Sequence, residues 1–140
     1  MATLNVKTTE TLVLNGTNVG SSITQSIDGI NYADNRIMNL PSGSTTGIAN
    51  FAANPGAGTF STGSFRYGRF TNIGTVPIRL YVISPTVNTS FLVSSGSSFT
   101  LSTTKITGSV GSSFTFENIT NINAEPSGSA GSLEYYIATT

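Results

Sequence analysis

Apolar and polar residues alternate in short runs along most of the chain. No run keeps the i, i+3, i+4, i+7 spacing of an amphipathic helix. The pattern predicts an all-β fold, with one short helical turn around Ile48–Ala53. Its clearest stretch is the pair Phe65–Asn72 and Val76–Ser84. In the first, Phe65, Tyr67 and Arg69 alternate with Arg66, Gly68 and Phe70. In the second, Ile78, Leu80 and Val82 alternate with Arg79, Tyr81 and Ile83. Asn72-Ile73-Gly74-Thr75 between them supplies turn residues, so the pair reads as a β-hairpin. Pro77 has no amide hydrogen and belongs at a strand start or an edge.

Three further strands follow at regular spacing, Thr89–Ser94, Ser98–Ser102 and Phe114–Asn123, with Ser95-Gly96 turning the chain between the first two. Phe114, Phe116 and Ile122 fall on one face of the third. A last strand, Ser132–Ala138, places Leu133, Tyr135 and Ile137 together. The first third is looser. Leu4 and Val6, then Leu12 and Leu14, mark short extended pieces, and Asn15-Gly16 is a strong turn dipeptide. Ile23, Gln25 and Ile27 alternate with polar neighbours up to Asp28-Gly29, a second hairpin signal. Arg36–Leu40 is a strand closed by Pro41, and Ala52–Gly63, rich in small residues, reads as a loop.

Short strands every ~8–12 residues with Gly and Ser turns are the signature of an antiparallel β-sandwich of jelly-roll type. The crossover helices of a parallel α/β fold are missing. The division expected is an extended N-terminal segment, residues 1–50, packed on the same domain or on a neighbour, and a β-sandwich over residues 51–140. The two parts make one domain, as 140 residues should.

Composition sharpens this. Val, Ile, Thr, Tyr and Phe number 55, against 30 for Ala, Leu, Met, Glu, Lys, Gln and Arg. Side chains branched at Cβ or aromatic suit a pleated surface. Only 9% of residues are charged, six basic and six acidic, and Ser, Thr, Asn and Gly fill half the chain. Hydroxyls and amides must therefore solvate the surface, and few charges remain to keep sheet edges from pairing. Either other subunits cover those edges or the domain is of a neutral, extracellular type. The balanced charge argues against a nucleic-acid partner and against a basic membrane-surface helix. No apolar run approaches the ~20 residues of a membrane span, and the start has neither a basic region nor a long apolar one. A chain made in a cytosol is the expectation.

The same counts narrow the chemistry. Without His or Cys there is no thiol nucleophile, imidazole base, disulfide or Cys/His metal site. The six carboxylates are Glu10, Asp28, Asp34, Glu117, Glu125 and Glu134. A glycan hydrolase would need two of them close together, as Glu117 and Glu134 would be if their strands paired. Asp28, Asn31 and Asp34 offer hard oxygen atoms to calcium, but in no EF-hand spacing, and a turn with Asx hydrogen bonds is the reading preferred for them. Arg66, Arg69 and Arg79 lie near Tyr67, Phe70 and Tyr81, a mixture suited to a subunit contact. Tyr32, Tyr67, Tyr81, Tyr135 and Tyr136 are candidates for a sugar-stacking platform or for the rim of a core. Gly56-Ala57-Gly58-Thr59 lacks the lysine of a phosphate loop. The sequons at Asn15, Asn88 and Asn118 are no more than this composition yields by chance. No catalytic group, cofactor or metal is expected.

The run Arg66–Leu80, with its Thr71-Asn72-Ile73-Gly74 turn, resembles small β-rich virion proteins of tailed bacteriophages, as do Phe91–Leu101 and the opening Leu12-Val13-Leu14-Asn15-Gly16. The resemblance implies a capsid decoration, or cement, protein on the outer capsid surface, made in the host cytoplasm. It implies a homo-oligomer, a trimer by preference, bracing the major capsid protein through protein–protein contacts and carrying no catalytic residues. Arg69, Phe70, Arg79 and Tyr81 are then the candidate interface residues. The rival reading is a carbohydrate- or receptor-binding sandwich of a phage fibre or lectin-like protein.

Overall fold

The computed structural model describes residues 1–51, 59–60, 64–110 and 113–140. Among these residues the chain forms β-strands and no helix, and so no helix long and apolar enough to cross a membrane. It divides into a long ribbon and a two-sheet body.

The ribbon comprises β1 (Ala2–Thr9), β2 (Val13–Leu14), β3 (Thr17–Asn18) and β4 (Ser22–Ile30). Thr9 pairs with Ser22 and Leu14 with Thr17, so one register runs from base to tip. The tip is the Asn15-Gly16 turn. Both residues take positive φ, 50° and 81°, as a type I′ turn requires. Midway, Gly20 lies against the opposite strand so closely that a Cβ there would sit 2.0 Å from the Glu10 carbonyl oxygen. Only glycine permits that approach. Asp28-Gly29 does not close a hairpin. Gly29, at φ 77°, lies within β4 where Ala2 pairs with Ile30 but Leu4 pairs with Ile27, so the dipeptide forms a bulge at the ribbon's base.

The body begins at β5 (Tyr32–Leu40), not after residue 50. It continues through β6 (Thr46–Phe51), β7 (Thr59–Phe60), β8 (Phe65–Asn72), β9 (Ile78–Ile83), β10 (Asn88–Val93) and β11 (Ser98–Leu101). A side hairpin follows, β12 (Lys105–Val110) with β13 (Ser113–Asn118). The chain ends in β14 (Asn121–Pro126) and β15 (Gly131–Thr139). One sheet has the order β10-β9-β14-β6-β7 and the other β11-β8-β15-β5. All pairings are antiparallel except the short one of β6 with β7. Ile48 and Phe51 lie in β6, so the expected helical turn is a strand there; Ala52 and Ala53 lie outside the described residues. Of the expected loop Ala52–Gly63, only Thr59–Phe60 is described, as β7.

The sheets face each other across one core. Ile78, Leu80 and Val82 of β9 and Ile122 and Ala124 of β14 meet Phe70, Leu133, Tyr135 and Ile137 of β8 and β15. Phe91 and Phe99 stack at 4.4 Å between the edge strands β10 and β11 and close one side. In β8 an extra residue, Arg66, enters between the pairs Tyr67–Ala138 and Phe65–Thr139. This bulge turns Phe65 to the core side with Phe70, whereas simple alternation would put it with Tyr67. Gly68 lies beneath both rings. A Cβ there would come within 2.7 Å of Phe70 and 2.9 Å of Phe65, so the core needs the missing side chain.

The Phe65–Ser84 segment is not a hairpin. β8 pairs with β15 and β11, and β9 pairs with β14 and β10, so the chain crosses from one sheet to the other at residues 72–77. It crosses back between β10 and β11, so Ser95-Gly96 turns a second corner and not a second hairpin. One side chain holds both corners. Asn72, fully buried, donates from Nδ2 to the carbonyls of Val76 and Val93 at 2.8 and 2.9 Å and accepts from the Gly74 amide at 3.0 Å. Its own amide donates to Ser97, and its carbonyl accepts from Gly96. The expected strand Phe114–Asn123 is likewise two elements. It breaks at Ile119-Thr120, leaving Phe114 and Phe116 on the side hairpin and Ile122 in the core.

Candidate functional site

All six carboxylates accept hydrogen bonds from their own chain. On the ribbon, Ser21 donates to Glu10 at 2.9 Å and Thr3 to Asp28 at 2.7 Å. At the β5 edge Asp34 receives Arg36 Nε at 3.0 Å and the Tyr135 hydroxyl at 2.9 Å. Burial, with the carboxylate beside it, pushes the Tyr135 hydroxyl up to about 12, so it stays a donor at any ordinary pH. Arg69 Nη2 meets Glu134 at 2.7 Å and Tyr81 donates to Glu125 at 2.6 Å. Glu117 takes the Ser84 hydroxyl at 2.6 Å, the Thr86 hydroxyl at 2.7 Å and the Thr86 amide at 3.0 Å.

The strands of Glu117 and Glu134 do not pair: β13 joins β12, and β15 lies between β5 and β8. Asp28 and Asp34 turn to different partners, and among the described residues no three acidic side chains gather as a metal group would need. The tyrosines do not form one platform. Tyr67 and Tyr136 pack edge to face at 6.1 Å under the ribbon, Tyr135 faces the core, Tyr81 belongs to the other sheet, and Tyr32 is exposed. The four candidate interface residues are also dispersed. Phe70 is fully buried and offers no surface, because the β8 register turns it inward. Arg69 lies on the four-stranded sheet, and Arg79 and Tyr81 on the five-stranded one. A cleft of about 260 Å³ beside Arg79 is lined by Leu92, Glu125 and the Pro126–Gly128 turn.

Glu117 has a mechanical role. Its three bonds tie the β12–β13 hairpin to the loop after β9. Gly108 of the same hairpin approaches Val87 and Thr86 too closely to carry a Cβ. The donors, the Ser84 hydroxyl first, hold its carboxyl below the usual carboxylate range. A depressed pKa contributes stability above the unfolded value, and that contribution is lost as pH falls through the folded value. Protection factors of the β12 and β13 amides, which are corrected for the intrinsic pH dependence of exchange, should therefore fall on acidification through that lower value. In Glu117→Gln they should already be lower at neutral pH and lose this pH step.

The surface also exposes large apolar side chains. Phe114 and Phe116 stand 78% and 66% exposed on the side hairpin, Leu92 65% on β10 and Ile37 64% on β5. The outer half of the ribbon exposes Leu12, Val13, Leu14, Val19 and Ile23, each by more than half. Sequence reasoning does not single these out as contacts, although a signal exists. Leu4, Val6, Leu12 and Leu14 are even-numbered, and the register sets Ile27, Val19 and Ile23 on the same face.

No protein-family model, curated protein or solved structure matches the chain.

Proposed function

We propose that this is a structural virion protein of the decoration type, one that works by seating apolar surface on its neighbours. The observation that carries the reading is the contrast on its surface. Every carboxylate is tied within the chain, while large apolar side chains on the ribbon, on β5 and on the side hairpin stand uncovered. Contiguous exposed apolar surface marks contact sites. The uncharged ground around it adds little electrostatic steering and favours close, static packing.

The strand order supports reading the sandwich as a jelly roll. Apart from the short β6–β7 pair, the β9–β10 hairpin and the side hairpin β12–β13, successive body strands alternate between sheets, and the last strand, β15, returns beside the first, β5. That fold suits shells but specifies no role by itself. The resemblance of Arg66–Leu80 and Phe91–Leu101 to phage virion proteins supplies the location, the outer capsid surface, and the partner, the major capsid protein. The test is co-sedimentation of the purified chain with shells assembled from the major capsid protein of the same genome. Saturable binding at a fixed ratio to capsomers is expected, and it should persist in high salt because few charges take part. Absence of binding to these shells would overturn the assignment.

A further inference from the structure

We infer that the outer half of the N-terminal ribbon is an exchange arm whose apolar face is covered by the β5 side of a second copy of this chain. The inference deepens the assembly reading above, and rests on it, by naming the surface and the partner.

The ribbon has two unlike faces. One carries Thr3, Asn5, Thr9, Ser22, Ser26 and Asp28, bonded across the strands in the pairs Thr3–Asp28, Asn5–Ser26 and Thr9–Ser22. The other carries the ribbon's large apolar residues apart from Val13, with Glu10 bonded to Ser21 midway along it. At the base, Leu4, Val6 and Ile27 pack on Tyr67, Tyr136 and Ala138 of the chain's own four-stranded sheet. Beyond Val6 the same face continues for about 25 Å to Leu14, at the rise of a β-strand. There Ile23, Leu12, Val19 and Leu14 are uncovered. A two-stranded ribbon is marginal in water unless a further layer covers it. The base has that layer and the outer half lacks one.

Area selects the occupant. The four exposed side chains on this face present on the order of 400 Å² of apolar surface, in the range of the largest patch on a monomer. An arm seated on an unrelated protein would cover about 400 Å² of this chain, below the ~800 Å² each partner contributes to a stable interface. In a closed ring of identical copies each chain gives one arm and receives one, so the area covered per chain doubles to about 800 Å². The seat is the outer face of β5. This is the end strand of its sheet, nine residues long, and there Ile37, paired with Glu134, stands 64% exposed. A long edge strand with an outward apolar residue is a liability in a monomer and a seat in an assembly.

Sedimentation of the full chain, from low micromolar to about 300 µM, tests this, a range that resolves any association tighter than about millimolar. The wild type should self-associate. Leu12→Ser with Leu14→Ser on the arm should weaken association by about 100-fold or more, as should Ile37→Lys on the seat, since each removes apolar contact worth several kilocalories. Phe114→Ser, on the side hairpin, should leave it unchanged. Urea midpoints within error of wild type would show that these exposed changes leave the fold intact. A monomeric wild type at the highest concentration, or an arm variant that associates as well as wild type, overturns the inference. Shell binding is scored separately. A monomer that still binds shells refutes the exchange arm and spares the decoration role, and a self-associating chain that ignores shells does the reverse.

Discussion

Asn72→Ala should lower the unfolding free energy by about 3–5 kcal/mol, a larger loss than most single substitutions cause. The Asn72 side chain is fully buried and uses three of its hydrogen-bonding positions, donating to the Val76 and Val93 carbonyls and accepting from the Gly74 amide. Truncation leaves the two carbonyls without that donor, each costing roughly 1–3 kcal/mol when water cannot replace it, while the Gly74 amide keeps the Ser132 carbonyl at 3.2 Å. Asn72→Asp should be worse. It restores the acceptor but sets a carboxylate against two carbonyl oxygens that need a donor, and buries a charge as well. In urea titrations both midpoints should fall with the slope unchanged, because the same surface is exposed on unfolding. An unfolding free energy within about 0.5 kcal/mol of wild type would mean that the corner does not depend on this side chain.

Asn72 also marks where the sequence stops being legible. Alternation identifies a strand and tells which residues share a face, and on that basis β8, β9, β10, β11, β15 and the Arg36–Leu40 half of β5 are readable from the order of residues alone; Tyr32–Asp34, read as part of a turn, belong to β5 as well. It does not name the neighbour of a strand. Phe65–Asn72 and Val76–Ser84, joined by a few turn-forming residues, satisfy the rules for a hairpin and equally those for a corner between sheets. What decides is whether Asn72 bonds along one ladder or across two, and that depends on Val93, 21 residues away. The Phe114–Asn123 run misleads for a related reason. Its period of two continues past Ile119-Thr120, but the backbone leaves the side hairpin there and enters the five-stranded sheet. Bulges are invisible because one extra residue changes a face without changing composition. Arg66 is such a residue, and it reverses the side on which Phe65 falls.

The surface is legible in kind and not in place. Low charge and abundant hydroxyls point to contact surfaces in general. The candidate contact residues Arg69, Phe70, Arg79 and Tyr81 come from the strongest strand pattern, and the strongest pattern marks the best-buried strands. Most of the exposed large apolar residues lie instead on the weakly patterned segments, the ribbon and the side hairpin, where no second layer of the chain covers the alternating face. A regular apolar stripe on a strand with few long-range partners is the better clue, and Leu12 and Leu14 beside Asn15-Gly16 display it.

Phe70→Ala should destabilise the chain by about 3–5 kcal/mol, the usual cost of removing a fully buried phenylalanine, and lower the melting temperature by roughly 10–20 °C. Phe70 is fully buried, pairs across the sheet with Tyr135, and has room for its ring only because Gly68 lacks a side chain. Truncation removes the ring from the middle of the β8–β15 layer. Phe65 has one face against Phe51, at 5.6 Å between ring centres, and cannot swing across to fill the space without giving up that contact. Its neighbour Arg69 supplies the control. Arg69 points the other way, to a partly exposed ion pair with Glu134, and Arg69→Ala should cost no more than about 1 kcal/mol. A residue that served only as a contact for other chains would behave in the opposite manner, leaving the melting temperature of the dilute chain unchanged and weakening association. If Phe70→Ala melts with the wild type and fails to self-associate, the β8 register is the reverse of the one its pairing with β15 gives. If it melts early while Arg69→Ala does not, the alternation along β8 is as the sheet pairing places it, and Phe70 belongs to the core and offers no contact to another chain.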